Sequence, residues 1–375
     1  GEMPSPAEGL QVNAFVSGLD HPRWLYVLPN GDVLVAESNA PEGSGLCSDF
    51  KNFAAGVVLN FSGARTPSAD RITLHRDTNG DGAADESHVF AAGLHSPFGM
   101  ALVDAHLYIA NADALLKFPY QPGQTTLTDS PEVIAQLPAG KNHHWTKNIL
   151  PTPDNRGLFI TVGSNSNVGE CGPEVEEGRA AIHRLDLESG ELERFAHGLR
   201  NPNGMAIEPS TNTLWTVVNE RDELGSDLVP DYATSVRKGD FFGWPYVYFG
   251  DKPQPGLDSR WPDSHPVAKT PDYALGAHTA SLDIEFSYDS ALPEKWRRGV
   301  FVSQHGSWNR QPVSGYRVIY IPFENGEPSG EPEEVVGGFL DADGHARGRP
   351  AGMALDGTGA LLIADDVGNV VWRVR

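Results

Sequence analysis

Short apolar runs alternate with polar or glycine- and proline-rich turns along the whole chain. Six of these runs follow such a turn, as the second strand of a β-hairpin does. They cover residues 32–36, 107–110, 157–162, 213–218, 299–303 and 360–364. No segment of useful length carries apolar residues at helical spacing. The pattern therefore predicts an all-β protein.

A further strand candidate precedes each of these runs, and several blocks close with a third one. The preceding candidates cover residues 24–27, 99–103, 148–150, 204–207, 282–286 and 352–355. The closing candidates cover residues 56–61, 114–118, 181–185, 316–320 and 370–374. Six blocks of three or four strands predict a six-bladed β-propeller with four-stranded antiparallel blades.

The propeller is predicted to take up the whole chain, residues 1–375, as a single domain. Residues 1–9 are expected to be a flexible terminus. The apolar segment 10–16 is expected to supply the outer strand of the last blade. This closure is favoured because it leaves no long free edge between the first and last blades.

A short phrase built from glycine, leucine and proline opens several of the blocks. It stands at residues 18–23, 93–100, 198–205 and, in a shortened form, 348–353. A unit repeated at intervals of tens of residues indicates a repeat architecture. The copies differ most beside the proline, where Arg, Asn and His occur. Because strand-opening positions of a propeller face its central channel, these positions are the candidates for function.

Charge and cysteine content exclude several classes of protein. The formal net charge is −22, and without a basic stripe the chain is not expected to bind nucleic acid or an anionic membrane. No run approaches the roughly 20 apolar residues of a membrane span. Only two cysteines are present, Cys47 and Cys171. They exclude a cysteine-based zinc cluster and leave open one disulfide or two free thiols.

Two segments that are expected to face the channel carry candidate catalytic and ligand-binding residues. Residues 141–147 stand where the third block should open, and a histidine there can act as a general base because its ordinary pKa is near neutrality. A hydrogen-bonded structural histidine is the alternative. Arg200, Asn201 and Arg349 place guanidinium and amide groups at the openings of two other blocks. They predict an anionic ligand such as a polycarboxylate cofactor, with ion pairs to blade carboxylates as the alternative.

Two further segments are rich in the oxygen ligands that Ca²⁺ prefers. The first is the loop 219–227, which follows a predicted inner strand. The second opens like an EF-hand loop, with Gly82 at the sharp turn, but His88 stands where the bidentate Glu belongs. Its candidate ligands are Asp77, Asn79, Asp81 and Asp85. A surface calcium loop and a plain hairpin turn both remain open for this segment.

Several of these motifs together resemble the soluble quinoprotein sugar dehydrogenases. The branch named for L-sorbosone dehydrogenase, related to soluble glucose and aldose dehydrogenases that use pyrroloquinoline quinone (PQQ), is the most similar. The resemblance runs from about residue 18 to residue 374 and rests on segments 200–205, 219–232, 242–246, 305–310 and 348–350. It implies a six-bladed propeller that binds PQQ with Ca²⁺ at the top of the central channel.

The resemblance also implies roles for individual residues. His144 would be the general base that takes the substrate's hydroxyl proton while hydride passes to the quinone. Arg200 and Asn201 would hold the carboxylates and quinone oxygens of PQQ, and Arg349 would be a second cofactor arginine. Further cofactor contacts are expected from His305, which replaces a lysine of the glucose-oxidising members, and from the channel-facing Lys147. The cofactor's Ca²⁺ would be bound near Asp222 and Glu223.

On this basis the chain is expected to oxidise an aldose or sugar aldehyde and to pass the electrons to an external acceptor. It would be periplasmic or secreted, without membrane insertion, and a monomer or homodimer. The alternatives are a calcium-dependent lactonase-type hydrolase, which would need carboxylates around one central metal, and a non-catalytic ligand-binding propeller. Serine hydrolase chemistry is not expected, because no nucleophile elbow surrounds Ser307.

Overall fold

The computed structural model describes residues 2–45 and 66–375. Within these ranges the regular structure consists of antiparallel strands and two 3₁₀ turns, Pro173–Glu176 and Glu294–Trp296, with no α-helix. Apart from one two-stranded hairpin, the described strands form six sheets arranged as the blades of a ring. The predicted six-bladed β-propeller is therefore confirmed.

In the first four blades the strands follow one another from the channel outwards. Blade one contains Pro22–Val27, Val33–Glu37, Arg71–Arg76 and Glu86–Ala92. Blade two contains Met100–Val103, His106–Ala110, Ala114–Pro119 and Glu132–Gln136. Blade three contains Ile149–Pro151, Gly157–Val162, Ala181–Asp186 and Leu192–His197. Blade four contains Asn201–Glu208, Thr213–Asn219, Pro230–Val236 and Tyr273–Ala277, with the small hairpin Val247–Tyr248 and Lys252–Pro253 in the loop before its last strand.

The last two blades are completed by the N-terminal segment. Blade six contains Pro350–Leu355, Leu361–Asp365 and Val370–Val374, and its outer strand is Val12–Ser17, so the predicted closure is confirmed. Blade five contains Ser281–Phe286, Gly299–Gln304, Arg317–Glu324 and Glu333–Gly337, with the short strand Glu327–Pro328 beside it. The expectation of a flexible segment 1–9 is corrected here. Ser5–Pro6 pairs with Val336 and Gly337 at the outer edge of blade five, where it covers backbone groups that would otherwise be unpaired.

The first strand of each blade contacts the first strand of the next, and the sixth blade contacts the first. The repeated phrase explains these contacts, because its glycine lies against the neighbouring strand. A Cβ on Gly99 would lie 2.5 Å from the Ile149 backbone nitrogen, and one on Gly352 would lie 2.8 Å from the Arg23 carbonyl oxygen. The methionine that follows this glycine is buried in the apolar layer shared with the preceding blade, as Met100 shows between blades one and two. The repeat therefore encodes blade packing.

The outer strands of blades one to five and the third strand of blade four were not anticipated from the apolar pattern. Outer strands such as Glu86–Ala92 and Leu192–His197 have exposed polar faces. The blade-four strand Pro230–Val236 is buried, but it includes polar residues such as Asp231 and Thr234. The predicted strand 56–61 lies outside the described residues, and the third strand of blade one is Arg71–Arg76. The antiparallel order of the strands determines which loops meet at each end of the ring. First strands begin, and second strands end, at the same end of the ring, which is called here the upper face.

Candidate active site

A cavity of about 290 Å³ opens on the upper face beside blades three, four and five. Its walls come from loops before first strands, after second strands and around the third strand of blade four. The lining residues are His143, His144, Asn167, Glu170, Arg200, Asn201, Asn219, Glu220, Asp222, Glu223, Asp231, His278, Ala280, Ser307, Trp308 and Asn309. The cavity thus brings together five of the predicted site residues, which are His144, Arg200, Asn201, Asp222 and Glu223.

His144 is a neutral imidazole with one free nitrogen. Its Nδ1 lies 2.8 Å from the Ser164 carbonyl oxygen, which only accepts, so Nδ1 carries the proton and Nε2 keeps its lone pair. Burial, the adjacent His143 and Arg200 hold the pKa of His144 well below its usual value. Gly163 allows His144 to pack closely against the chain, since a Cβ there would lie 2.6 Å from His144 Cβ. The arrangement suits a general base at neutral pH.

The His143 ring lies beside that of His144 at a ring-centroid distance of 4.4 Å, with the two planes tilted by 53°. Its backbone N–H donates to Asn165 Oδ1 at 3.0 Å. Burial, with a further contribution from Arg200, lowers the pKa of His143 to about 4. Both histidines of the segment are therefore uncharged at neutral pH, and only His144 has its Nδ1 committed to a backbone carbonyl.

Arg200 is only 4% exposed and ties two loops together. Its Nε donates to the Asn167 carbonyl at 3.0 Å, and its Nη1 donates to the carbonyls of Asn219 at 3.2 Å and Glu220 at 2.8 Å. Nη2 donates to Asn167 Oδ1 at 3.1 Å and lies 3.9 Å from Asp222 Oδ2. The guanidinium therefore braces the cavity wall while leaving a fixed positive charge in it.

Asn201 lies beside Arg200 with an unpaired acceptor. Its Oδ1 is buried and has no hydrogen-bond partner among the described residues, whereas its Nδ2 is 3.5 Å from Asn219 Oδ1. A buried polar atom without a partner is rare and raises the free energy of the folded state unless a ligand, ion or water pairs with it. Asn201 lines the cavity, and its Oδ1 lies under the cavity surface against Gly163, where an added Cβ would overlap this oxygen.

Asp222 connects blade four to blade five. Its Oδ1 accepts hydrogen bonds from Asn309 Nδ2 at 2.9 Å and from His278 Nδ1 at 3.2 Å. His278 Nε2 faces the Gly225 carbonyl at 2.8 Å, so each ring nitrogen faces an acceptor and the surroundings favour the protonated ring. The hydrogen bond to Asp222 raises the pKa of His278. Burial opposes ionisation of Asp222, but these donors and Arg200 lower the pKa of Asp222 overall.

Two further carboxyl groups, Glu220 and Asp231, were not selected from the sequence. Burial raises the pKa of Glu220 to about 7 and that of Asp231 to about 6. Asp231 Oδ1 accepts the Glu220 backbone N–H at 2.8 Å, and its Oδ2 accepts the Thr279 hydroxyl at 2.9 Å. With Glu170, Asp222 and Glu223 they make the cavity wall rich in carboxyl oxygens. The only sequence signal for Asp231 was its place among the segments that carry the resemblance.

Lys147, predicted to contact a cofactor, does not line the cavity. Its side chain is completely buried, and its Nζ donates to Trp145 O at 3.0 Å and to Asn142 Oδ1 at 3.2 Å. Burial, with the charge of Arg179, lowers the pKa of Lys147 well below its usual value. This correction follows from the direction of the chain, because Lys147 leads into the first strand of blade three and its side chain turns back under the histidine segment.

Arg349 and His305 lie in a second polar cluster, formed at the upper face by blades one, five and six. Arg349 Nη2 donates to Tyr316 Oη at 2.8 Å, and its Nη1 lies 3.4 Å from His305 Nδ1. His305 Nε2 is 2.8 Å from Asp366 Oδ2, which also pairs with Arg23. Arg349 Nε, Arg23 Nε and Asp366 Oδ1 are buried without partners among the described residues. These predicted residues are therefore assembled with one another but do not line the first cavity.

The acidic loop 77–86 lies in blade one at the end of the ring opposite the upper face, whereas both polar clusters lie at the upper face. It joins the third and fourth strands of that blade. Its side chains cap its own backbone: Asp77 accepts from Gly80 and Gly82, Asn79 accepts from Asp81 N, and Asp81 accepts from Ala83 N. The carboxylate of Asp85 accepts the Thr78 hydroxyl at 2.7 Å. Calcium binding by Asp77, Asn79, Asp81 and Asp85 stays a prediction.

Other predicted features concern cysteines, metals and membranes. Cys171 is disulfide-bonded, and the other cysteine, Cys47, lies outside the described residues. In residues 2–45 and 66–375, one group of three His, Asp or Glu side chains has ligand atoms within 4.8 Å of one another, namely the exposed Asp341, Asp343 and His345, none of which lines the cavity. Across the same ranges, no helix has the length and apolar character required to cross a membrane.

Comparison with known proteins gives a consistent set of relatives. The sequence model of the TrAA12-like family matches residues 68–239 and 247–375. An uncharacterized protein of Borreliella burgdorferi is 27% identical over 298 residues, covering 76% of this chain and 77% of that protein. The pyrroloquinoline quinone-dependent pyranose dehydrogenase of Coprinopsis cinerea is 25% identical over 364 residues, covering 84% of this chain and 44% of the fungal protein. The chain thus spans less than half the length of that dehydrogenase.

Solved structures with the same fold include two from fungal proteins. The holo form of the PQQ domain of the Coprinopsis cinerea pyranose dehydrogenase aligns with a TM-score of 0.74 at 20% identity, covering 100% of this chain and 97% of that domain. The calcium structure of a Trichoderma reesei carbohydrate-active enzyme of family AA12 aligns with a TM-score of 0.75 at 17% identity, with the same coverage of 100% and 97%. At this identity the likeness concerns the fold.

Proposed function

We propose that this chain, which belongs to the TrAA12-like family, is an oxidoreductase that oxidises an aldose or sugar aldehyde with PQQ and Ca²⁺ and passes the electrons to an external acceptor. The observation that carries this proposal is the joint placement of His144, Arg200 and Asn201 in one cavity. A neutral base, a fixed positive charge and an unpaired acceptor oxygen are what a hydroxyl-oxidising cofactor site requires. The pyranose dehydrogenase named above supports the assignment.

The residues of the upper face fit a polycarboxylate cofactor and a hard cation. Arg200 supplies a fixed positive charge in the cavity wall, and Arg349 has an Nε donor without a partner in the described structure. We assign Arg200, Asn201, Arg349 and His305 to the cofactor. The oxygen-rich loop with Asp222 and Glu223, together with Asn201 Oδ1, suits Ca²⁺, which prefers six to eight oxygen ligands. When bound, PQQ supplies the two-electron oxidant and Ca²⁺ the electrophilic assistance to it.

The chain's own catalytic contribution is the removal of a proton. His144 Nε2 accepts the proton of the sugar hydroxyl at the carbon to be oxidised, and the Nδ1–H bond to the Ser164 carbonyl keeps the ring oriented while it becomes an imidazolium. The lowered pKa of His144 keeps the base unprotonated at neutral pH. Burial of the cavity wall limits water, so the proton is transferred in a fixed geometry.

The compartment follows from cysteine chemistry. A disulfide-bonded Cys171 is typical of proteins that fold in an oxidising environment. We therefore place this activity in the periplasm or outside the cell, and we assign the electrons to an acceptor that meets the protein there.

Reconstitution tests this function directly. The protein is loaded with PQQ and Ca²⁺, cofactor binding is followed by titration calorimetry, and reduction of an artificial dye is measured with a panel of aldoses. We expect saturable PQQ binding that EDTA weakens, and sugar-dependent dye reduction. A protein that binds no PQQ contradicts the proposal. Hydrolysis of lactones with Ca²⁺ alone, assayed in parallel, would favour the lactonase alternative instead.

A further inference from the structure

One peptide unit lies between the His144 ring and a buried glutamate. The Ser164 carbonyl and the Asn165 N–H belong to this unit, which is trans, so the two groups point in opposite directions. On one side the carbonyl oxygen accepts from His144 Nδ1 at 2.8 Å, and on the other side the N–H donates to Glu176 Oε2 at 2.8 Å. Carboxylate, peptide and imidazole therefore form a continuous hydrogen-bonded chain.

Both acceptor atoms that face His144 Nδ1 belong to Ser164. The Ser164 hydroxyl oxygen lies 3.1 Å from Nδ1 and donates its own proton to the Ser166 carbonyl at 2.7 Å, so toward the ring it can only accept. The nitrogen that carries the proton in a neutral histidine is set by the hydrogen bonds that the ring makes. The direction of the Ser164 peptide thus places the proton on Nδ1 and leaves the lone pair on Nε2.

Glu176 is the buried member of an otherwise exposed acidic turn. Its neighbours Glu174 and Glu177 are exposed, whereas Glu176 is only 7% exposed. Its second oxygen, Oε1, accepts the Ser166 hydroxyl, so each carboxylate oxygen has a donor in the same loop. Burial raises the pKa of Glu176, and these donors oppose the rise because they stabilise the ionised form. A buried carboxylate is costly unless it is paired, and this one is paired with the loop that faces His144.

The carboxylate also affects how well the Ser164 carbonyl accepts. A hydrogen bond to an ionised group is stronger than a neutral one, and hydrogen bonds in series polarise one another. The bond from Asn165 N–H to Glu176 therefore makes the carbonyl a better acceptor, which favours the positive charge that His144 gains when it takes a proton. Asn165 Oδ1 additionally accepts the His143 N–H at 3.0 Å, so the loop and the histidine segment are joined at two successive histidines.

We propose that Glu176 is a positioning residue for the base: it holds and polarises the Ser164–Asn165 peptide and thereby fixes His144 as the Nδ1–H tautomer with Nε2 free. Its effect on catalysis rests on the proposed function, whereas the tautomer is a property of the apoprotein. Glu176 does not line the cavity, so it is assigned no contact with substrate or cofactor.

The test compares the wild type with Glu176→Ala and Glu176→Gln, and Glu177→Gln is the matched control at the exposed neighbour. The apoproteins, labelled with ¹⁵N in their histidine rings, are examined by NMR, because couplings between ring protons and ring nitrogens distinguish the two neutral tautomers. The spectrum of His144→Asn identifies the signals of His144. The proteins loaded with PQQ and Ca²⁺ then give kcat and KM from dye reduction with an aldose, and calorimetry gives the PQQ affinity.

We expect the Nδ1–H tautomer of His144 in the wild type and a mixture of tautomers in Glu176→Ala. Glu176→Ala should lower kcat by about 10–100-fold, since a misplacement of about 1 Å can cost about 10²-fold in rate. Glu176→Gln should keep the tautomer and lower kcat about three- to tenfold, because a neutral hydrogen bond replaces a charge-assisted one about twice as strong. KM and PQQ affinity should change little in both variants, and Glu177→Gln should behave as the wild type does.

A Glu176→Ala protein that keeps the tautomer and the kcat of the wild type would overturn the proposal. Losses in KM or PQQ affinity as large as the loss in kcat would also overturn it, because they would indicate a general disturbance of the fold. If Glu176→Ala does not fold, Glu176→Gln decides, and an unchanged kcat in that variant contradicts the proposal. A wild type that oxidises no sugar removes the proposed function, while the NMR comparison of the apoproteins still tests the role of Glu176.

Discussion

Two arginines stand just before the first strands of their blades, Arg200 in blade four and Arg349 in blade six, yet the structure uses them differently. Arg200 donates to three main-chain carbonyls and an amide oxygen, all within one wall of the cavity. Arg349 has two side-chain partners, Tyr316 and His305, and a buried Nε with none among the described residues. The Arg200 guanidinium is held by hydrogen bonds within the cavity wall, whereas Arg349 has an Nε donor that no described residue accepts.

The histidines beside these arginines show the same contrast. His144 directs Nδ1–H to a backbone carbonyl and keeps Nε2 free. His305 has both nitrogens in use, with Nδ1 facing Arg349 and Nε2 facing Asp366, and burial lowers the pKa of His305 to about 4. The two histidines stand at different repeat positions, His144 before the first strand of blade three and His305 after the second strand of blade five. The groups opposite each ring leave one nitrogen of His144 without a partner in the described residues and engage both nitrogens of His305.

Substituting the two histidines should break this comparison most strongly. His144→Asn removes the base and should lower kcat by about 10²–10⁴-fold, the usual contribution of general base catalysis. PQQ affinity should change little, because His144 is assigned to the substrate. His305→Asn should instead weaken PQQ binding by about tenfold, with a far smaller loss of kcat at saturating cofactor. Calorimetric PQQ titrations and dye-reduction kinetics separate the two effects, and Val267→Ala is the surface control.

The opposite result is equally informative. If His305→Asn lowers kcat at saturating PQQ as much as His144→Asn does, both clusters take part in proton removal and the division of roles is wrong. If neither variant changes kcat, the base is elsewhere in the cavity.

Substituting the two arginines tests how far each is committed to the fold. Arg200→Met removes the Arg200 donor from the carbonyls of Asn219 and Glu220, whereas Asn167 O still accepts from Trp244 Nε1 at 3.1 Å. Each buried acceptor left unpaired costs about 1–3 kcal/mol. We expect the apoprotein to lose about 2–4 kcal/mol in the free energy of unfolding, as well as cofactor affinity. Arg349→Met should lose less stability but should weaken PQQ binding by about 10–100-fold, since charge-assisted hydrogen bonds contribute about 1.5–3 kcal/mol each.

Urea unfolding of the apoproteins, followed by tryptophan fluorescence, and PQQ titrations give the two numbers for each variant. A larger stability loss in Arg349→Met than in Arg200→Met would reverse the assignment. For each variant we compare the loss of stability with the loss of PQQ affinity. The two variants can be compared directly, because both side chains are buried and carry the same charge.

The sequence anticipated the parts of this arrangement that repetition determines. The apolar runs predicted the inner strands, since buried strands must be apolar on both faces, and the repeated glycine marked the positions where neighbouring first strands approach. Arg200, Asn201 and His144 were found because a departure from a repeat identifies a position whose location is already known. Closure of the last blade by segment 10–16 was predicted because it leaves no long free edge between the first and last blades.

What the sequence could not supply was side-chain direction and long-range pairing. Glu220 and Asp231 enter the cavity from two ends of a loop between the second and third strands of blade four, a distance the local pattern does not encode. The pairing of Ser5–Pro6 with blade five depends on residues more than 300 positions away. Nothing in the apolar pattern distinguishes an outer strand with a polar face from a loop.

We expect the smallest effect at Lys147. Its side chain lies beneath the histidine segment but neither lines the cavity nor joins the cluster around Arg349. Its pKa is lowered well below its usual value in the folded state, so at pH values between the folded-state pKa and the ordinary lysine range the unfolded chain binds more protons there than the folded chain. Stability should therefore rise with pH up to the ordinary lysine range, with a slope of at most about 1.4 kcal/mol per pH unit. Lys147→Met removes this proton uptake while filling a similar volume.

We therefore expect the free energy of unfolding of the wild-type apoprotein to increase more steeply between pH 7 and pH 10 than that of Lys147→Met, with PQQ affinity equal in the two proteins. Urea unfolding at several pH values, combined with one PQQ titration each, measures both. Parallel stability curves would mean that Lys147 is charged in the folded protein. A loss of PQQ affinity in Lys147→Met would show that the amine contributes to the cofactor site after all, through the histidine segment that its hydrogen bond to Trp145 O supports.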